Sequence, residues 1–110
     1  MMVFQRPFRD LVLRQIALFA SEHSDKVLSA RAALRAYDDD RDPTTALERY
    51  ADHDDLAEDV ELILTDMCER YASTLEPRMA KRYVKVFTKE ARKVYGDLLV
   101  KFDPYYLSED

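Results

Sequence analysis

His23 and His53 are the only histidines in the chain, and both fall on the apolar side of a helical pattern. Around the second, residues 48–61 read ERYADHDDLAEDVE, with carboxylates at 48, 52, 54, 55, 58, 59 and 61. Two imidazoles with one or two carboxylates inside a helical bundle form a ligand set for a divalent metal, and His23, His53 and Glu61 are the candidate ligands. The same groups could form a proton-transfer pair. If the first two helices pair antiparallel about residues 38–42, His23 stands level with about residue 58, roughly five residues or ~7.5 Å from His53. Asp54 and Glu61 flank His53, and Tyr95 is expected near the same level. The competing reading is structural: each imidazole is hydrogen-bonded to a neighbouring carboxylate or tyrosine. That reading is favoured and requires no cofactor, with a divalent ion as the alternative. Di-iron bundles use Glu-x-x-His pairs, whereas positions 50 and 20 here are Tyr and Ala.

A second constellation is electrostatic. Arg78, Lys81, Arg82, Lys85, Lys89, Arg92 and Lys93 fall in one sector of a helix when residues are placed ~100° apart. Seven like charges with no acid among them repel one another, which a merely solvated face avoids by mixing signs. Arg78, Arg82, Lys85, Lys89, Arg92 and Lys93 are therefore candidate partner-binding residues, with Arg82, Lys85, Lys89 and Arg92 foremost. On the preceding helix, Glu48, Asp52, Asp55, Asp59, Asp66 and Glu69 share the sector opposite its apolar stripe. The segregation is general. Residues 1–41 carry net charge +1, residues 42–76 carry −9, and residues 77–110 carry +3, for a total of −5. The default reading of each strip is a solvated helix face; among partners, an acidic protein surface, including the acidic face of another subunit, suits the basic face best. Nucleic acid suits it less, because the chain is acidic overall and no aromatic side chains interleave on that face for stacking.

Long helices must position these groups. The chain has 110 residues, 47% of them apolar, with one Gly, four Pro and no Trp. That length bounds one domain, spanning 1–110 with an irregular tail over 103–110. A sheet fold needs a turn signal every ~8–12 residues, and the chain has too few breakers to supply them. The spacing predicts an all-α, antiparallel up-down-up bundle of three helices over about 7–38, 43–75 and 77–102. The first stripe is Phe8, Val12, Ile16, Phe19, His23, Val27, Ala30, Leu34 and Tyr37, and Pro7 suits its first turn. Ser21 and Ser24 could split this helix at His23, but the unbroken register favours one helix. The second stripe runs Ala46, Tyr50, His53, Ala57, Val60, Leu64, Met67 or Cys68, Tyr71 and Leu75, behind an Asp42-Pro43 start. The third runs Met79, Tyr83, Phe87, Ala91, Val94, Leu98 and Phe102, with Gly96 as a C-cap or a point of close packing. So thin a bundle has much surface for its core, so a homodimer that completes a larger bundle is expected.

Several chemistries find no support. One glycine cannot build a phosphate-binding loop. Cys68 is alone, lies about four turns from His53, and reads as a small core residue. Met67, Met79 and the tyrosines within the stripes read as core, and Tyr105 and Tyr106 as packing groups on the tail. The N-terminal MMVFQRPF lacks a signal peptide's uninterrupted apolar run, no run of ~18 apolar residues exists, and the unpaired cysteine favours the cytoplasm. The sequence therefore points to a non-enzymatic interaction module acting through apolar stripes and a basic third helix. The alternatives are a metal-binding bundle at His23 and His53, and a nucleic-acid-binding helix.

Overall fold

A computed structural model describes residues 8–104 of the chain. Over these residues the protein is all-helical: α1 (Arg9–Glu22), α2 (Ser24–Asp39), α3 (Pro43–Ala72) and α4 (Pro77–Tyr95). The expected helix start at Pro7 and the packing of Tyr105 and Tyr106 lie outside the described residues.

The first expected helix is two. His23 leaves helical geometry at φ −127°, ψ 27° and separates α1 from α2. The cause is packing. α2 lies along α3, whereas α1 packs against α4 and barely touches α2. One straight rod could not reach both partners. Ser21 and Ser24 beside the break supply side chains that compete for backbone hydrogen bonds. Both halves still bury the expected residues, Val12, Ile16 and Phe19 on α1 and Val27 and Ala30 on α2. Just before α1, Phe8 adopts φ 69°, a left-handed conformation costly for a non-glycine residue. Its ring packs edge-on against Tyr83 at 5.6 Å.

α3 begins where the sequence indicates. Asp42 accepts the Thr44 N–H at 2.9 Å and the Thr44 hydroxyl at 2.8 Å, and Pro43 occupies the first turn. The helix ends at Ala72 rather than 75. There the Ser73 and Thr74 hydroxyls donate back to the carbonyls of Arg70 and Tyr71, and Pro77 opens α4. At 30 residues, α3 spans ~45 Å of a body measuring 57 × 29 × 23 Å.

α4 ends at Tyr95, seven residues before the expected 102. A continuing helix would have the Val94 carbonyl accept from Leu98. Instead Arg31 of α2 donates to that carbonyl at 2.8 Å, and the Leu98 N–H turns to Tyr95 O. Gly96 is no left-handed cap (φ −56°, ψ −30°). It permits a close approach, since a Cβ there would lie 2.7 Å from the Arg92 carbonyl oxygen. Beyond it the chain turns and buries Leu98, Leu99, Phe102 and Pro104, so the apolar pattern persists without the helix.

The core joins all four helices. Val12, Phe19, Val60, Leu64, Cys68, Tyr83, Val84 and Phe87 are fully buried, each large apolar side chain stabilising the fold by roughly 1.5–3 kcal/mol. Tyr83 stands at the centre. It contacts the rings of Phe8, Tyr71 and Phe87, and its hydroxyl donates to Gln15 Oε1 at 2.6 Å. Two expected stripe positions, Tyr50 and Val94, are exposed, about half of each, and Leu34, Tyr37, Ala46 and Met79 lie at the margin of the core.

Candidate functional site

α4 sorts its side chains more sharply than the other helices. Ala80, Tyr83, Val84, Phe87, Thr88, Ala91 and Tyr95 recur at intervals of three and four and are buried. Arg78, Arg82, Lys85, Lys89, Arg92 and Lys93 occupy the exposed side, and Lys81 lies at its edge, half-buried. The structure divides the six candidate residues. Arg92 donates to the Phe102 carbonyl at 3.0 Å, and Lys93 pairs with the buried Glu90 at 3.1 Å. Both help hold the C-terminal turn and the end of α4. Arg78, Arg82, Lys85 and Lys89 form no ion pair among the described residues, and neither does Lys81. They make a cationic strip along one helix.

The acidic side of α3 faces away from the core in the same manner. Glu48, Asp52, Asp55, Asp59 and Asp66 are exposed and Glu69 is half-exposed. Asp66 pairs with Arg70 one turn on, at 2.9 Å. Leu62 sits among these acids with 59% of its surface exposed, a position that charge counting alone passes over.

The two histidines do not meet. Lys26 and Ser29 of α2 stand beside Leu56 and Asp59 of α3. That register carries His23 to a surface pocket with Ile63, Asp66, Met67 and Tyr71, about ten residues, or ~15 Å, along α3 from His53. His23 instead stacks on Phe19, ring centroids 5.3 Å apart. Tyr95, expected near both, packs edge-on against Phe19 beneath the Arg31 guanidinium.

His53 and Glu61 line one cavity of about 110 Å³, with Tyr50, Asp54, Ala57, Leu98, Val100 and Lys101, between α3 and the C-terminal turn. Glu61 Oε2 accepts the Lys101 backbone N–H at 2.8 Å, and Lys101 Nζ reaches Asp54 at 3.0 Å. Burial raises the Glu61 pKa above the ordinary carboxylate value, partly offset by the Lys101 N–H. His53 Nδ1 is buried without a hydrogen-bond partner. Among the described residues no group of three or more His, Cys, Asp and Glu side chains is gathered to hold a metal ion. Glu61 anchors the turn that follows α4 through the Lys101 backbone N–H.

Two features had little sequence signal. Arg31 forks onto Asp97 (3.0 and 3.2 Å) and the Val94 carbonyl while its guanidinium lies 5.5 Å from the Tyr95 ring centre. This contact spans 66 residues of chain, and only the position of Arg31 beside the Val27–Ala30 stripe hints that it could reach another helix. Cys68 is fully buried, and desolvation pushes its thiol pKa up to about 12, leaving no reactive thiolate. Among the described residues no helix is long and apolar enough to cross a membrane. Compared with protein-family models, curated proteins and solved structures, the chain matches none.

Proposed function

We propose that the protein is a non-enzymatic helical interaction module that docks an acidic protein surface on the basic face of α4. One observation carries this reading. Four cations at helical spacing, Arg78, Arg82, Lys85 and Lys89, are exposed and form no ion pair with another described residue. Folding gains nothing from such an arrangement, since like charges three and four residues apart repel. A complementary anionic surface relieves the repulsion and steers association. Many of the stripe residues pack within one chain, and the charged faces lie outside that packing, open to a partner.

The test is binding of a short labelled poly-L-glutamate, followed by fluorescence anisotropy at low salt. Charge reversal at Lys85→Glu and Lys89→Glu is expected to weaken binding at least about tenfold, equivalent to ~1.4 kcal/mol. Binding indifferent to both substitutions would remove the docking role. A duplex DNA bound more tightly than poly-L-glutamate, with affinity falling steeply in salt, would point to nucleic acid instead.

A further inference from the structure

We infer that the acidic surface received by α4 is the outer face of α3 on a second copy of this chain, joined head to tail. The inference rests on the docking role of α4 proposed above. Its first support is matched spacing. Arg78, Arg82, Lys85, Lys89 and Arg92 follow one another at steps of four, three, four and three residues. Asp55, Asp59, Leu62 and Asp66 follow the first three of those steps. The matched steps cover ~16 Å of helix, so the two can run alongside each other in register.

The second support is chemistry at the centre of the strips. Leu62 stands between Asp59 and Asp66, 59% exposed. Lys85 holds the matching central position on α4. A lysine can lay its methylene stem over an apolar side chain while its ammonium reaches flanking carboxylates. An exposed leucine amid acids is therefore suited to a lysine-rich face.

The third support is that the two strips do not pair with each other within one chain. Each lies on the side of its helix opposite the core, and no ion pair among the described residues joins α3 to α4. Asp66 turns to Arg70, and Arg92 turns to the Phe102 carbonyl. Each copy thus presents one anionic and one cationic face. A contact between unlike faces is heterologous, and unless it closes into a ring it propagates. Exposed ion pairs are individually weak, so the assembly is reversible, concentration-dependent and dissolved by salt.

Sedimentation of the full chain tests this at about 0.01 M and about 1 M salt, where the screening length falls from about 30 Å to about 3 Å. At low salt the average mass is expected to rise with concentration beyond two copies, and at high salt to return to one. Two surface variants sharpen the test, each checked for native helicity. Lys85→Gln with Lys89→Gln keeps only the acidic face. Asp55→Asn with Asp59→Asn and Asp66→Asn keeps only the basic one. Each alone is expected to stay monomeric, and their mixture to form a 1:1 complex that grows no further. A wild-type chain that is monomeric at low salt, a closed dimer, or a mixture that does not pair overturns the inference. If the chain is monomeric yet binds poly-L-glutamate through Lys85 and Lys89, the docking role stands and only the second copy is excluded. If poly-L-glutamate binding ignores those lysines, both readings fall.

Discussion

Glu61 illustrates how a single residue can look like chemistry and serve architecture. Its carboxylate is nearly buried and accepts the Lys101 backbone N–H, tying the turn after α4 to the middle of α3. Because burial raises its folded pKa above the ordinary value of 4.5, the folded state binds its proton more readily than the unfolded chain. Stability attributable to Glu61 is greatest in acid and falls as pH rises through the folded pKa. Glu61→Gln keeps an acceptor for the Lys101 N–H and removes the buried charge, so at neutral pH it is expected to be neutral or stabilising, with the advantage vanishing near pH 4. Glu61→Ala removes the acceptor and is expected to cost about 1 kcal/mol or more. Thermal melts of the three proteins across pH check both the sign and the order. Asp97 has the opposite sign: its bond to Arg31 lowers its pKa, and that contribution is lost as pH falls through the folded value. Cys68 supplies an independent test, since its buried thiol is expected to resist a thiol reagent until the protein unfolds. That His53 and Glu61 line one cavity was legible from their placement on one helix. The position of His23 was not, because the register between α2 and α3 depends on the three-residue connection at 40–42.

At the scale of elements, the sequence conveys where helices begin better than where they end. The start of α3 at Asp42-Pro43 follows from local chemistry, an accepting side chain and a ring that suits the first turn. The ends of α1 and α4 depend on distant residues. The break at His23 exists because α1 packs on α4 while α2 packs on α3. The end of α4 exists because Arg31, more than sixty residues away, takes the Val94 carbonyl. The apolar period runs on through both breaks, and only Ser21 and Ser24 mark the first of them locally. The basic strip of α4 was legible because like charges on one face need no tertiary information to locate. It also separates function from stability. Lys85 faces Lys81, Arg82 and Lys89 one turn away on either side, and each repulsion costs ~0.2–0.5 kcal/mol. Lys85→Glu turns those repulsions into attractions and is expected to stabilise the folded chain by roughly 1 kcal/mol, while it weakens docking. Chemical denaturation beside the poly-L-glutamate titration measures the two effects on one variant. If the variant is destabilised instead, Lys85 is engaged within the fold and its role on a free docking strip fails.

Across the whole molecule, charge is sorted between helices rather than mixed along them, with net −9 over residues 42–76 and net +3 over residues 77–110. This segregation and the helical class are both composition-level properties, which is why they survive from sequence to structure while individual contacts do not. Its energetic sign depends on distance. Like charges within each strip sit one helical turn apart, ~5–6 Å between Cβ atoms. The outer faces of α3 and α4 lie on the sides of their helices opposite the core, no ion pair among the described residues joins them, and attraction over more than ~10 Å is screened at 0.1 M salt. Repulsion inside the strips therefore outweighs attraction between them, and the fold carries this cost out of a total stability of about 5–15 kcal/mol. Raising salt screens the repulsion first. The melting temperature of the dilute, monomeric protein is expected to rise by a few degrees between about 0.01 M and about 0.3 M NaCl, a range over which the screening length drops several-fold. Helix melting followed by circular dichroism at low protein concentration measures it. A melting temperature that falls with salt would mean that attraction between α3 and α4 dominates, and that the two faces already neutralise each other within one chain. A rise leaves both faces carrying unrelieved repulsion, and an oppositely charged surface can supply that relief without salt.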